Sequence, residues 1–383
     1  MAEQQAPFVD LPAALVEEVL NGTEGVAEEL LGIFRLMRAG RDRLRSNLLE
    51  RGLVMKESAL GYPPIPTTCA VDGSYAIDRL LTTDLTACAA VAMEGLTPPS
   101  EKRHWQQPHH LTFIRSEIHH PDTATVLRAV MLGSELLLAV RAPHDLVMID
   151  GTLTLPIIYF NQALAKCGEA PELGCSKEFQ RTALEFLVAY LDMLRSERSD
   201  KHYAGLPKYS TRREVGRLLE WPIHHDDRGT LTMLLDGGEL TKPMPLEQPA
   251  QPWHLATRSL PAAVRADAEE VAGKIVDTLR RIRVLYYKPH EWLPALRIEV
   301  AENVAENHHR LATLVQGIKH QSATPGMLEP YPLYLADRMV KALARAVPAF
   351  RQVATQRVSE KYEGNIGEVF FGMHGYRSES GRL

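Results

Sequence analysis

The chain is predicted to be an α/β protein: one mixed sheet flanked by helices, with a helical region ahead of it. Three observations carry this. Ala70-Val71 runs into Asp72-Gly73-Ser74, the pattern of a short buried strand ending in an acid and a turn. The same grammar returns where Leu146-Val147-Met148-Ile149 meets Asp150-Gly151-Thr152-Leu153. Between the two lies a helical stretch that starts at Asp122 or Thr123, reaches about Val140 and carries Glu135 amid apolar neighbours. A crossover of that kind sets its two strands parallel and close together.

Taken in order, residues 8 to 57 read as helical, with Leu11, Leu15, Val19, Leu30, Ile33, Phe34 and Met37 at spacings of three and four. Asn21-Gly22-Thr23 breaks the pattern once, and Thr23 is placed to cap a second helix. Arg38, Arg41, Arg43 and Arg45 give that helix a solvated face. Gly61 to Pro66 is a stiff linker into the first acid strand. Leu80 to Met93 reads as a strand or two of a meander, and Leu111 to Ile114 with Ile118 as another. Ser176 to Ser196 is a long amphipathic helix, and Leu231 to Leu235 with Gly237-Gly238 reads as a strand and turn. Val284 to Lys288 and Ala295 to Val300 form a strand pair; Val304 to Ile318 and Leu333 to Val347 read as helices. Strand, strands, helix, strand, helix is the ground plan of a ribonuclease H-like mixed sheet. The domain reading is a helical region over 1–60 for partner docking or dimer contacts, an α/β domain with that sheet as its core over 61–350 and an extension over 351–383.

At 383 residues, with 45% hydrophobic and 24% charged side chains, the chain has the composition of a soluble globular protein. A formal net charge of −5 excludes a wholly cationic nucleic-acid coat and leaves room for a local basic groove. Cys69, Cys88, Cys167 and Cys175 form no C-x-x-C, which argues against a zinc site or disulfide framework and fits a reducing cytoplasm. The N-terminus carries no signal-peptide pattern, and no run of about 20 apolar residues stands out as a bilayer span. G-x-S-x-G, Walker and G-x-G-x-x-G patterns are absent, against serine-hydrolase, P-loop and dinucleotide-binding chemistry. The doublets His109-His110, His119-His120, His224-His225 and His308-His309 make poor chelates, since adjacent residues face different ways.

The acids carry the chemistry. Two divalent cations about 4 Å apart activate a water and stabilise the leaving oxygen of a phosphodiester, and carboxylates are the ligands that hold Mg²⁺ or Mn²⁺. Asp72, Glu135 and Asp150 are the candidates from order and position. One Asp-Gly after an apolar run is a common turn. Glu135 gives the set weight, because an acid amid apolar residues on a helix calls for a partner or a metal.

These residues resemble the NurA nucleases, partners of the HerA hexameric ATPase in DNA-end processing. The resemblance runs from about Ala70 to Arg345. Its parts are Val71-Asp72-Gly73-Ser74, Glu135, Ile149-Asp150-Gly151-Thr152-Leu153, Leu206-Pro207-Lys208-Tyr209-Ser210, Asp236 to Thr241, Arg297-Ile298-Glu299-Val300 and Tyr331 to Arg338. It implies a ribonuclease H-like core, cleavage of single-stranded DNA and duplex ends with Mn²⁺ (or Mg²⁺), two ions per site, and a homodimer seated on a HerA-type ATPase. By the same resemblance Asp72, Glu135 and Asp150 match the metal-binding acids. Where the family has Ala-His, this chain has Ala336-Asp337, which makes Asp337 the fourth expected ligand. His374 is the alternative replacement in space.

Lys208, Arg213 and Arg297 are expected to hold the strand by its phosphates. Tyr209 is expected in the core rather than stacked on a base. The Ala336-Asp337 departure leaves open a non-cutting adaptor that clamps DNA or regulates the ATPase. A third reading, a sugar-kinase or actin-like ATPase, shares the Asp-Gly-Thr turns but needs a wider spacing and an adenosine-binding glycine pair.

Overall fold

The computed structural model describes residues 11–222 and 226–381, so the His224-His225 doublet lies outside the described residues. The chain divides into two units, at Leu53 and Val54. In the first, α1 (Ala13–Glu50) is one helix of 38 residues. The expected break at Asn21-Gly22-Thr23 does not occur. A helical glycine costs only about 1 kcal/mol relative to alanine, and the Thr23 hydroxyl donates to Leu20 O within the helix at 2.6 Å. Leu15, Val19, Leu30 and Phe34 of α1 are exposed.

The second unit runs β1 (Val54–Lys56), β2 (Thr68–Leu80), β3 (Asp84–Glu94), β4 (His109–Glu117), α2 (Thr123–Arg141), β5 (Leu146–Ile149), α3 (Leu155–Glu169), α4 (Gly174–Arg195) and β6 (His202–Gly205). It continues through α5 (Glu214–Leu218), α6 (Asp227–Leu234), β7 (Glu239–Thr241), β8 (Met244–Pro245), α7 (Ala262–Leu279), β9 (Arg283–Lys288) and β10 (Leu296–Val300). The last elements are α8 (Glu302–Ala305), α9 (His308–Gln321), α10 (Tyr331–Ser359), α11 (Ile366–Gly372) and β11 (Gly375–Gly381). One mixed sheet has the order β1-β7-β9-β10-β6-β5-β2-β3-β4, with β11 on β2 and β8 on β9. β2, β5 and β6 run parallel, and the other pairings are antiparallel.

Helices cover both faces. Ala70, Met148, Ala204 and Ile298 point into the core that α9 closes with Leu311, Leu314, Val315 and Ile318. On the same face, Val91 and Met93 of β3 pack against Ala336 and Val340 of α10. The opposite face is covered by α2, which packs with α3 and α4 around Phe160, Phe179, Phe186 and Tyr190. Among the described residues, α2 is the one helix long and apolar enough to cross a bilayer, which the sequence reading did not single out, and most of it is buried in this core. The boundary expected at 350 falls inside α10, and β11 joins the sheet edge-on to β2.

Two expected elements differ. Leu231 to Leu235 is not a strand: Leu231 to Leu234 close α6, whose Asp226 side chain caps the helix by accepting from Gly229 N. A short apolar run does not distinguish the two periods, and the cap decides. The first acid segment is no turn either, for β2 continues through Asp72-Gly73-Ser74 to Leu80, paired with β3 along that length.

Candidate metal centre

Register brings the acids together. β2 and β5 pair in parallel from Thr68↔Leu146 to Val71↔Ile149, and Asp150 N donates to Val71 O at 3.2 Å. Asp72 and Asp150 are the next residues of the two strands, so they stand side by side where β5 stops. β11 takes up the same edge of β2 only from Tyr75 onward. The interval is a crevice at the carboxyl end of a parallel strand, the usual location of an α/β site. Gly151 leaves the strand at φ +122°, a conformation that side chains disfavour.

Asp72 pairs with Val91 in the ladder and therefore shares its face, the one α10 covers. Asp337, on the second turn of α10, completes a group: Asp72, Asp150 and Asp337 each offer an oxygen, and these lie within 4.8 Å of one another. Lys208 Nζ stands among them, 2.7 Å from Asp150, 3.0 Å from Glu329 and 3.5 Å from Asp337. Lys341 pairs with Asp337 from the next turn. Burial first, then the Asp150 charge, pushes Asp72 up to about 8, against the pull of the Gly73 N–H and Lys208. Burial also raises Asp150 and Glu329, with Lys208 opposing in both. Burial disfavours the Lys208 ammonium, but the Asp150 and Glu329 carboxylates outweigh it and hold its pKa above the usual range.

Glu135 comes from the other face. A side chain at Gly73 would meet Glu135 Oε1 at 2.2 Å and Met131 Cγ at 2.7 Å. The glycine lets the α2 carboxyl reach the sheet beside Asp72. Glu135 is 2% exposed, and its Oε1 has no hydrogen-bond partner. Burial, then Asp72 and Asp150, drives its pKa well above the carboxylate range. It lines, with Asp150, Ile149 and Leu132, a cavity of about 10 Å³, roughly one water-sized sphere. Five carboxyls, Asp72, Glu135, Asp150, Glu329 and Asp337, thus face two ammoniums, Lys208 and Lys341. An all-oxygen set with surplus negative charge and an orphaned buried oxygen fits a hard divalent cation.

The turn after Asp150 is clamped from behind. Glu299 Oε2 accepts from the Thr152 hydroxyl at 2.6 Å and from Leu153 N at 2.9 Å. Arg297 Nε holds the other Glu299 oxygen at 3.0 Å, and its two terminal nitrogens grip Glu214 at 2.6 and 2.7 Å.

The structure corrects several expected roles. Arg297 is 1% exposed and bound to two carboxylates, so no phosphate can reach it. Arg213 spends its guanidinium on Trp221 O and Pro222 O, at 2.6 and 2.8 Å. Lys208 lies within the acid group rather than along a strand path. Tyr209 is 94% exposed and not a core residue. His374 lies beside the Arg351–Ser359 segment of α10, and Arg351 is about 21 Å of helix beyond Asp337. Glu329, Lys341 and Glu299 were not singled out from the sequence as site residues. Glu329 sits on irregular chain and Lys341 within α10, half-buried beside Asp337, where no pattern marks them. Glu299 had a signal, an acid inside an apolar strand.

The NurA domain family matches residues 66–342. The fold is similar to that of the NurA nuclease from Sulfolobus solfataricus, with a TM-score of 0.58 at 14% identity over 90% of this chain and 98% of that one. A second NurA crystal structure gives a TM-score of 0.52 at 12% identity, over 90% and 99%. Among curated protein sequences no match is found.

Proposed function

We propose that this chain, which belongs to the NurA family, is a metal-dependent nuclease that hydrolyses DNA phosphodiesters on single strands and duplex ends. The observation that carries the reading is the convergence of Asp72, Asp150 and Asp337 within 4.8 Å at the end of β5. Asp337 stands where the family resemblance leads to histidine, and it offers a carboxylate to the group. That favours a cutting enzyme over a passive clamp.

In this reading Asp72, Asp150 and Asp337 hold Mn²⁺ or Mg²⁺, and Glu135 provides for a second ion at the small cavity it lines with Asp150. Bound there, such cations lower the pKa of a water and stabilise the departing oxygen. Lys208 balances part of the negative charge of that group through Asp150, Glu329 and Asp337. Glu299 keeps the Asp150 turn in place through Thr152 and Leu153. The finer reading follows the family resemblance: a homodimer acting with a HerA-type ATPase in the cytoplasm, in DNA-end processing or defence against foreign DNA. The exposed apolar side chains of α1 are the surface proposed for that association.

The test is cleavage of an end-labelled single strand. Product is expected with Mn²⁺ or Mg²⁺, none in chelator, and a large loss in Asp337→Asn. Undiminished degradation in chelator would sink the reading. For the partner surface, Leu30→Glu with Phe34→Glu is expected to abolish self-association or ATPase binding in sedimentation, with cleavage of short single strands retained.

A further inference from the structure

A cavity of about 290 Å³ adjoins the acid group, lined by Thr152, Pro207, Tyr209, Ser210, Arg212 and Glu299 among others. Its walls grow directly out of the centre. Thr152 is two residues past Asp150, at most ~7 Å along the chain. Pro207 and Tyr209 flank Lys208, whose Nζ is 2.7 Å from Asp150. The walls are also preformed. Arg228 donates to Lys208 O and, at 3.0 Å, to Ala295 O, pinning the backbone that presents Tyr209. The Arg212 amide donates to Ser210 Oγ at 3.2 Å, and its guanidinium to Glu247 O at 2.8 Å. The Thr152 hydroxyl is fixed on Glu299.

The lining specifies a ligand class. Tyr209 offers an aromatic face that is 94% exposed, while Ser210 and Thr152 offer hydroxyls and Arg212 a cation. The acid in the lining, Glu299, is buried and already engaged by Thr152, Leu153 N and Arg297. A free anion would find little here beyond Arg212. A planar heterocycle with mixed donors and acceptors, tethered to a phosphate at the acid group, matches the hydroxyls and the ring together.

We infer that this pocket takes one unpaired nucleobase of the DNA, stacked on Tyr209, next to the phosphate held at the acid group. The inference rests on the nuclease reading above. A paired base must first be flipped out of its stack to enter, so the pocket biases the enzyme toward single strands and frayed ends. Stacking on an aromatic face tolerates any base, so little sequence preference follows.

The test uses the full chain carrying Asp72→Asn, with Mg²⁺ and single-stranded oligonucleotides bearing 2-aminopurine at successive positions. Binding is expected to change the fluorescence most at one position. Adding Tyr209→Ala is expected to remove that signal and weaken single-strand binding about tenfold, while Tyr209→Phe keeps both. Binding of a blunt duplex is expected to change less than twofold. Tyr209 is exposed, and an unchanged circular dichroism spectrum checks that each variant folds. The inference is overturned if Tyr209→Ala leaves the signal and affinity in place, or weakens single strand and duplex equally. It is also overturned if Asp72→Asn binds no single strand at all. Failure of the nuclease reading is seen separately, as absence of metal-dependent cleavage by the unmodified protein.

Discussion

Two groups of buried acids meet at the turn after β5, where Glu299 holds Thr152 and Leu153, and they behave in opposite ways. Around Arg297, Glu214 and Glu299 are held by a guanidinium at 2.6–3.0 Å. Burial would raise Glu214, but Arg297 outweighs it and its pKa falls. Around Asp150, carboxyls outnumber their cations, Glu135 has an orphaned oxygen, and Asp72 is pushed up to about 8. Both groups are costly to bury. The first is compensated within the chain and serves as a frame. The second is compensated only in part, and a site left short of positive charge is one prepared for a metal.

The sharpest way to break this comparison is to remove one charged side chain from each group. Asp72→Asn is expected to lower cleavage about a thousandfold or more, while the metal-free protein melts higher because the amide avoids the cost of keeping a buried carboxyl protonated. Normal cleavage by that variant would refute the assignment. Arg297→Met is expected to do the reverse to stability, losing about 3–5 kcal/mol in denaturant titration, since two buried carboxylates lose their cation. A loss under 1 kcal/mol would mean the frame is not held as described.

A smaller effect joins the two groups. Glu299→Gln keeps the shape but weakens the grip on Thr152, Leu153 and Arg297. A drop of about 10- to 100-fold in kcat is expected with KM little changed; an altered KM with intact kcat would place Glu299 in substrate binding instead. The smallest test is pH. Asp72 has its folded pKa raised from 3.8 to about 8. Its contribution to stability is therefore full below pH ~4 and is lost as pH rises through about 8. Metal-free protein is expected to lose thermal stability across that window, with Asp72→Asn flattening the slope. Equal slopes would show that Asp72 is not the titrating acid.

Much of the site could be read in the chain. Asp72, Glu135 and Asp150 stand out because acids set in apolar runs break the period around them, whereas Asp337 was reached only through the family resemblance; all four lie at the crevice. The phosphate-binding assignments fared worse: Arg297 and Arg213 are structural. A basic residue carries no local mark of whether a carboxylate or a backbone carbonyl waits for it across the fold. The long α1 and the uninterrupted β2 were missed for a related reason. Asn21-Gly22-Thr23 and Asp72-Gly73-Ser74 are breaking signals, yet neither breaks its element. Gly22 is tolerated in the helix, and Gly73 is where α2 brings Glu135 against the strand.

By itself the sequence determined the alternation of strands and helices, the two acid-bearing strands and the acid on the helix between them. Apolar periodicity and residue type are local properties, and they survive without knowledge of neighbours. The tertiary structure alone decided which charges are satisfied. Parallel register set Asp72 beside Asp150, α10 added Asp337 from a distant part of the chain, and Arg297 went to Glu214 and Glu299 rather than to solvent. Pairing over such separations depends on packing, because a buried charge is stabilised only by what the fold places within a few ångströms of it.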